Sequence, residues 1–363
     1  MLRQMVEIVE NEQPDLFLLC GDVYHTSQPS SAAQTMFSET MVKIHKANPS
    51  MTMVITAGNH DSASRHEIFR TPWKMWNIHV IGNINKNTLE EHIIPVGDKG
   101  YVVAVPYANE RNIPVDFFQQ LLDLVAARNT AGLPVVMTAH TTVKGCDFSG
   151  HTTLLETTIG GIDSCDITQF GVGYDYFALG HIHREQFIHT GNHNVRYSGT
   201  PIAVSFDENY PHSVSIVEIE KNGARPKVTK REIVNLHPLV TLPTSGTATL
   251  EEALDLLRKY PDDISAYIRL NVEIDDFLPA DAMAQANECR EGKECKLCPI
   301  NAKRRPRPGD SEVKAMTVKE LREESPLEIA RQYAKDKGIE FGDELETLFN
   351  NVLEMLREDS RND

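Results

Sequence analysis

The chain has 363 residues, with 36 Lys and Arg against 52 Asp and Glu, a net charge of −16. That length predicts about two domains or more, and 40% hydrophobic with 24% charged residues is ordinary for a soluble globular protein. No apolar run approaches the roughly 20 residues of a membrane-spanning helix, so no membrane partner is expected. The opening MLRQMVEIVENEQPD carries four acidic residues and no apolar core, unlike a signal peptide. Six cysteines form no disulfide framework, which makes a cytoplasmic setting the expectation. The acidity argues against nucleic-acid binding through bulk charge.

Residues 1–10 read as a helix. Short apolar runs then alternate with polar or amphipathic stretches. Asp15 to Cys20 predicts a buried strand ending in Gly21-Asp22, and Met51 to Thr56 another, ending in Ala57-Gly58-Asn59-His60-Asp61. Tyr101 to Val105 is a third. Phe117 to Ala127 suits a covering helix. Pro134 to Ala139 is a fourth strand, ending in His140, and Tyr176 to Leu179 a fifth, ending in Gly180-His181-Ile182-His183. Ser213 to Ile219 and Lys227 to Val234 predict a strand pair turning at Asn222-Gly223. Short continuous apolar runs suit sheets covered on both faces.

The texture changes near residue 238. Thr249 and Glu252 form a capping box that opens a helix with apolar positions Leu250, Ala253, Leu254 and Leu257. Pro261 ends it, and Ile268, Leu270, Val272 and Ile274 then alternate with polar residues as a half-buried strand. Residues 289–308 carry seven basic and two acidic residues with three prolines, and predict a linker or exposed loop. The acidic tail reads as helical: Ser325-Pro326 opens a helix, and Leu345, Leu348, Phe349, Val352 and Leu356 recur at helical spacing. The expected domains are residues 1–237, 238–312 and 313–363.

Four of the five strand ends carry potential metal ligands: Asp22, Asn59 with His60, His140, and His181 with His183. The loops after strand ends form the ligand crevice of open α/β sheets. Oxygen and imidazole donors suit Mn²⁺, Fe²⁺ or Zn²⁺ rather than a thiolate site. Singly, each motif is open to a bland reading as a turn or a surface histidine; together and in this order they are not readily accidental.

Gly21-Asp22, Gly58-Asn59-His60-Asp61, His140 and Gly180-His181-Ile182-His183 resemble the signature of the calcineurin-like metallophosphoesterases. Longer stretches are similar to the SbcD-type nuclease subunits among them: Gly21 to His25 with Pro29-Ser30, His140 to Gly145, Ala178 to Arg184, Val195 to Pro201, and Ser205 to Glu208. The resemblance is strong to about residue 220 and holds in outline beyond. It implies a two-sheet α/β sandwich with a small α/β cap domain and a C-terminal helical tail, and two divalent metal ions, usually Mn²⁺. Asp22 would bridge the two ions. Asn59, His140 and His181 would complete one site, His183 would bind the other ion, and His60 would serve the leaving group. Asp61 would orient its neighbours.

The same resemblance implies metal-dependent DNA phosphodiester hydrolysis, 3′–5′ on ends and endonucleolytic on single strands and hairpins. It also implies a homodimer and an SbcC-type ATPase subunit docked on the tail. The family opens with an Asp-x-His pair on a strand preceding residue 1, and residues 1–21 contain none. The expectation is a chain that lacks this first strand, with one metal site crippled and little or no nuclease activity as given. The alternatives are a phosphoesterase of small phosphodiesters or phosphoproteins, and a non-catalytic docking subunit.

Several features stand outside this set. Cys289, Cys295 and Cys298 make half of a zinc knuckle, one ligand short of a closed site, or are incidental thiols. Cys20, Cys146 and Cys165 read as core or loop thiols. Lys303, Arg304, Arg305 and Arg307 suit either phosphate contact or a solvated loop. His25, Arg184 and Ser198-Gly199-Thr200 are candidates for the substrate groove.

Overall fold

A computed structural model of the chain describes residues 1–109, 112–149, 164–188 and 194–305, with 327–328, 330–331, 334, 341–342 and 345–349 of the tail. Two compact units divide it: Met1–Asn271 with Ala280–Asn301, and Val272–Pro279 with Ala302–Asp363.

The first unit opens with helix α1 (Leu2–Glu12), followed by strand β1 (Leu16–Cys20), α2 (Ser31–Ala47), β2 (Thr52–Thr56), α3 (Ala63–Lys74) and β3 (Ile78–Ile81). The three strands form one parallel sheet in the order β1-β2-β3. Next come β4 (Ile93–Val96), β5 (Gly100–Tyr107), α4 (Phe117–Arg128), β6 (Val135–His140), β7 (Tyr176–Gly180), β8 (Gln186–Phe187) and β9 (Val195–Tyr197). They form a second sheet ordered β4-β5-β6-β7-β9-β8, parallel at its centre with antiparallel edges.

Alternation along each strand builds the layers. Met53 and Ile55 of β2, with Ile78 and Val80 of β3, join Val9, Phe37, Met41, Ile44 and Trp73 in a core under α1–α3. Val54 and Ile81, one residue out of phase, instead meet Val102 and Ala104 of β5 between the sheets. Val103 and Val105 face α4 through Phe117, Phe118, Leu121 and Val125. A period of two along a strand thus feeds two separate cores. The result is helix, sheet, sheet, helix, the sandwich expected of the chain.

The strands β10 (Ser213–Glu218) and β11 (Lys227–Glu232) form the expected antiparallel pair, with Gly223 in the turn at φ +76°. A small sheet follows: β12 (Leu239–Leu242), β13 (Tyr267–Ile274) and β14 (Lys296–Leu297) run parallel, linked through α5 (Leu250–Lys259) and α6 (Ala282–Arg290). The capping box forms in both directions, Glu252 N–H to Thr249 Oγ1 at 3.3 Å and Thr249 N–H to Glu252 Oε2 at 2.9 Å. Ala253, Leu254 and Leu257 are buried beneath it.

Residues 289–304 depart from the linker or loop expected over 289–308. They finish α6, supply β14, and add a further strand, β15 (Asn301–Arg304). Two of the basic residues are committed locally: Lys293 Nζ donates to Tyr260 O at 2.6 Å, and Arg290 donates to Cys295 O. The amides of Lys296 and Cys298 bond to Ala266 O and Ile268 O. Two-residue strands leave no readable period, and their charge masked a buried Cys295.

In the second unit, Arg305 pairs with Glu273 at 2.8 Å, Arg304 lies over the Phe277 ring, and Arg331 pairs with Glu346 at 2.6 Å. Residues 345–349 are helical, as read from the sequence. Ser325, Pro326, Val352, Leu356 and Arg307 lie outside the described residues.

Candidate metal centre

The two sheets converge where β1, β2, β6 and β7 end, and glycines make the convergence possible. A Cβ on Gly180 would stand 1.8 Å from the Cys20 carbonyl oxygen, and one on Gly58 would stand 2.1 Å from Asp22 Oδ1. Only hydrogen fits at these positions, so the Gly-Asp, Gly-Asn-His and Gly-His motifs close on one another.

Four donor atoms meet there. His140 Nε2 is 3.1 Å from Asp22 Oδ2, 3.0 Å from Asn59 Oδ1 and 3.2 Å from His181 Nδ1. His181 Nδ1 is 3.0 Å from Asn59 Oδ1. Asp22, His140 and His181 form the one cluster of His, Cys, Asp or Glu with metal-site spacing among the described residues. An ion about 2.1 Å from each donor sets neighbouring donors about 3.0–3.4 Å apart, which these spacings match.

The hydrogen bonding also fits a cation. His140 Nδ1 donates to Cys20 O at 2.8 Å, which turns its Nε2 toward a carboxylate and an amide oxygen. Burial opposes ionisation of Asp22, but His140 and the His60 backbone N–H outweigh it and hold the carboxyl at about 2. Burial pushes the Cys20 thiol up to about 11, so Cys20 stays a neutral core thiol. Asp22 and His181 also hold positive backbone angles, φ +48° and +99°. Strain of this kind persists only where surrounding structure enforces it, and it gathers at working sites.

Asp61 ties the motif loops together. Its carboxylate accepts from the amides of Val23, Tyr24 and Gly58 at 2.9–3.1 Å, with His66 Nε2 3.4 Å away. Burial again opposes its ionisation, and His66 with these amides lowers the group all the same. His60 lies at the rim, with its N–H on Asp22 Oδ1 and its Nδ1 3.0 Å from His25 O. The His25 ring stacks on it at 5.7 Å.

His183 is not in the four-donor group. Its Nδ1 sits 2.8 Å from Oε1 of Glu208, whose side chain is wholly buried. Glu208 Oε2 also accepts from Thr200 Oγ1 and Val204 N. Sequence reasoning assigns Glu208 no role, although it closes the Ser205–Glu208 stretch. The one signal for it is an acidic residue at the end of that motif. Arg184 pairs with Asp147 at 2.7 Å. Cys289, Cys295 and Cys298 form no metal-spaced cluster among the described residues.

Comparison with known proteins agrees with this geometry. A calcineurin-like phosphoesterase family model matches residues 1–185, and a model described as the type 5 capsule protein repressor C-terminal domain matches 235–337. The SbcD subunit of the SbcCD nuclease of Rhodobacter capsulatus is 30% identical over 284 residues, 70% of this chain and 68% of that protein. The SbcD of Escherichia coli K12 is 28% identical, covering 76% of this chain and 72% of its own. That of Bacillus subtilis is 26% identical, covering 80% and 77%. With its ligand-bearing strand ends and these matches, the chain belongs to the SbcD family of nuclease subunits within the calcineurin-like phosphoesterases.

Proposed function

We propose that the chain hydrolyses DNA phosphodiesters with Mn²⁺ as the nuclease subunit of an ATP-dependent complex. It would act 3′–5′ on ends and endonucleolytically on single strands and hairpins. The observation that carries this reading is the convergence of Asp22, Asn59, His140 and His181 within 3.0–3.2 Å steps. These four residues would hold one ion, and Asp22 with His183 would hold a second. Bound divalent ions lower the pKa of water and neutralise charge on a phosphodiester.

The chain's own residues do the rest. His140 is held in one tautomer by Cys20 O, so the site keeps its shape. Asp61 locks the Gly21-Asp22 and Gly58-Asn59 loops against each other. Bonding of His60 Nδ1 to His25 O commits that nitrogen as donor and leaves Nε2, once protonated, to pass a proton to the leaving oxygen.

Residues 1–237 would carry the chemistry, 238–312 would form a cap over DNA, and 313–363 would dock an SbcC-type ATPase, the partner that the relatives' names indicate. A second copy of the chain would complete a homodimer. A cytoplasmic setting follows from this role; no helix among the described residues is long and apolar enough to cross a membrane.

The test is hydrolysis of bis(p-nitrophenyl) phosphate and of a single-stranded oligonucleotide, with Mn²⁺ titrated in. Metal-dependent cleavage of both, lost in His140→Ala, is expected. Cleavage of the small diester alone, with the ATPase partner present, would favour a small-substrate phosphoesterase.

A further inference from the structure

The loop that carries Glu208 ends in a tight turn. Glu208 N–H donates to Ser205 O at 3.2 Å, so Phe206 and Asp207 form the tip of a four-residue turn and Glu208 is its last member. The Ser205 hydroxyl also bonds to the Asp207 carboxylate. From the end of this turn the wholly buried Glu208 side chain reaches His183 Nδ1. A turn this short holds its residues in fixed relation, so moving its tip moves Glu208.

The tip is held by a residue of the small sheet. Phe206 is half-buried and lies outside the apolar clusters of the sandwich. The Arg269 guanidinium stands over its ring, 4.5 Å from the centroid, well inside the range of a cation–π contact. Ile268 and Leu270 of β13 are wholly buried, and strand alternation sends Arg269 to the opposite face. Arg269 Nη2 donates to Thr241 Oγ1 of β12 at 3.3 Å, which anchors the guanidinium to its own sheet. Burial draws the Arg269 pKa below its ordinary value and the Asp207 carboxylate opposes this, so both residues of the tip neighbour the cation. Arg269 Nε is buried and makes no hydrogen bond among the described residues. That placement is costly, and the ring face and the carboxylate offset it.

We propose that Arg269 is a positioning residue for the metal centre: by holding the Phe206–Asp207 tip it fixes Glu208 against His183. The proposal rests on the reading of His183 as an ion ligand and adds the contact that sets its orientation. His140 and His181 stand at the ends of β6 and β7 and are held without it. A displacement of the small sheet is therefore felt at His183 and not at the other two imidazoles.

The test uses the full chain with ¹⁵N-labelled histidine and needs neither ion nor turnover. In EDTA, the side-chain signal that disappears in His183→Ala reports the bond to Glu208. Arg269→Ala and Phe206→Leu should each shift that signal, and the double variant should shift it no further, since both remove one contact. Arg269→Lys keeps the charge without the planar stacking and should behave like Arg269→Ala, whereas Phe206→Tyr keeps the ring and should behave like the parent. The His140 and His181 signals should stay in place. A His183 signal unmoved in Arg269→Ala, or equal movement of all three, overturns the proposal. With Mn²⁺, Arg269→Ala should lower cleavage about tenfold, and an undiminished rate overturns it as well. If the parent chain cleaves no phosphodiester, the phosphodiesterase reading falls, and the histidine spectra alone decide the role of Arg269.

Discussion

A side chain at position 180 has nowhere to go. Its Cβ would meet the Cys20 carbonyl oxygen at 1.8 Å and His140 Nδ1 at 2.9 Å, and the first of these is backbone of a neighbouring sheet. Gly180→Ala must therefore push β7 from β1 and break the His140 bond to Cys20 O. Overpacking of this kind costs about 1–3 kcal/mol, and Mn²⁺ affinity should fall with it; a variant with the parent's melting temperature and metal affinity would contradict the close approach. Glu208 works through a different contact. It orients His183 from a fully buried position, so Glu208→Ala should lower Mn²⁺-dependent cleavage roughly 10–100-fold, with Glu208→Gln, which keeps an acceptor, losing less. Equal losses in both variants would mean that the charge, not the hydrogen bond, matters. Asp22, Asn59, His140 and His181 were legible because each follows a strand run directly, so sequence position translates into spatial position. Glu208 was not, since its contact with His183 forms only when the loop over 198–208 folds back, and no local period encodes that return.

The helices and strands show the same division between local and long-range signals. The capping box of α5 is written within four residues, and both of its bonds form. Thr249→Ala should destabilise the small sheet and its helices by about 1 kcal/mol, read as a shift in urea midpoint; a neutral outcome would mean that the buried Ala253, Leu254 and Leu257 hold the helix unaided. The period-two strand β13 was legible in the same way. The segment 289–308 was not, because β14 is two residues long and gains its identity from amide bonds to Ala266 and Ile268. Within it, Arg290 and Lys293 satisfy carbonyls of their own fold, while Lys303 and Arg304 of β15 stay exposed.

Across the whole molecule, the net charge of −16 makes cations the natural mediators of any contact with a polyanion. The donors at the strand ends supply the place for them. Because those donors lie at the ends of β1, β2, β6 and β7, an ion held there would tie both sheets together and would favour the folded chain over the unfolded one. Binding at one hundred times Kd stabilises the fold by about 2.7 kcal/mol, and unfolding entropy scaled to 363 residues makes each kcal/mol worth about 1.3 °C in melting temperature. Saturating Mn²⁺ should therefore raise the melting temperature by about 3–4 °C, and EDTA should reverse it. Asn59→Ala and His140→Ala should remove most of the shift, whereas Cys298→Ser should keep it whole, since the three thiols near residue 295 share no metal-spaced cluster among the described residues. A shift that survives in His140→Ala but disappears in Cys298→Ser would move the stabilising ion from the sandwich to the small sheet, and would leave the strand-end cluster without a metal to hold.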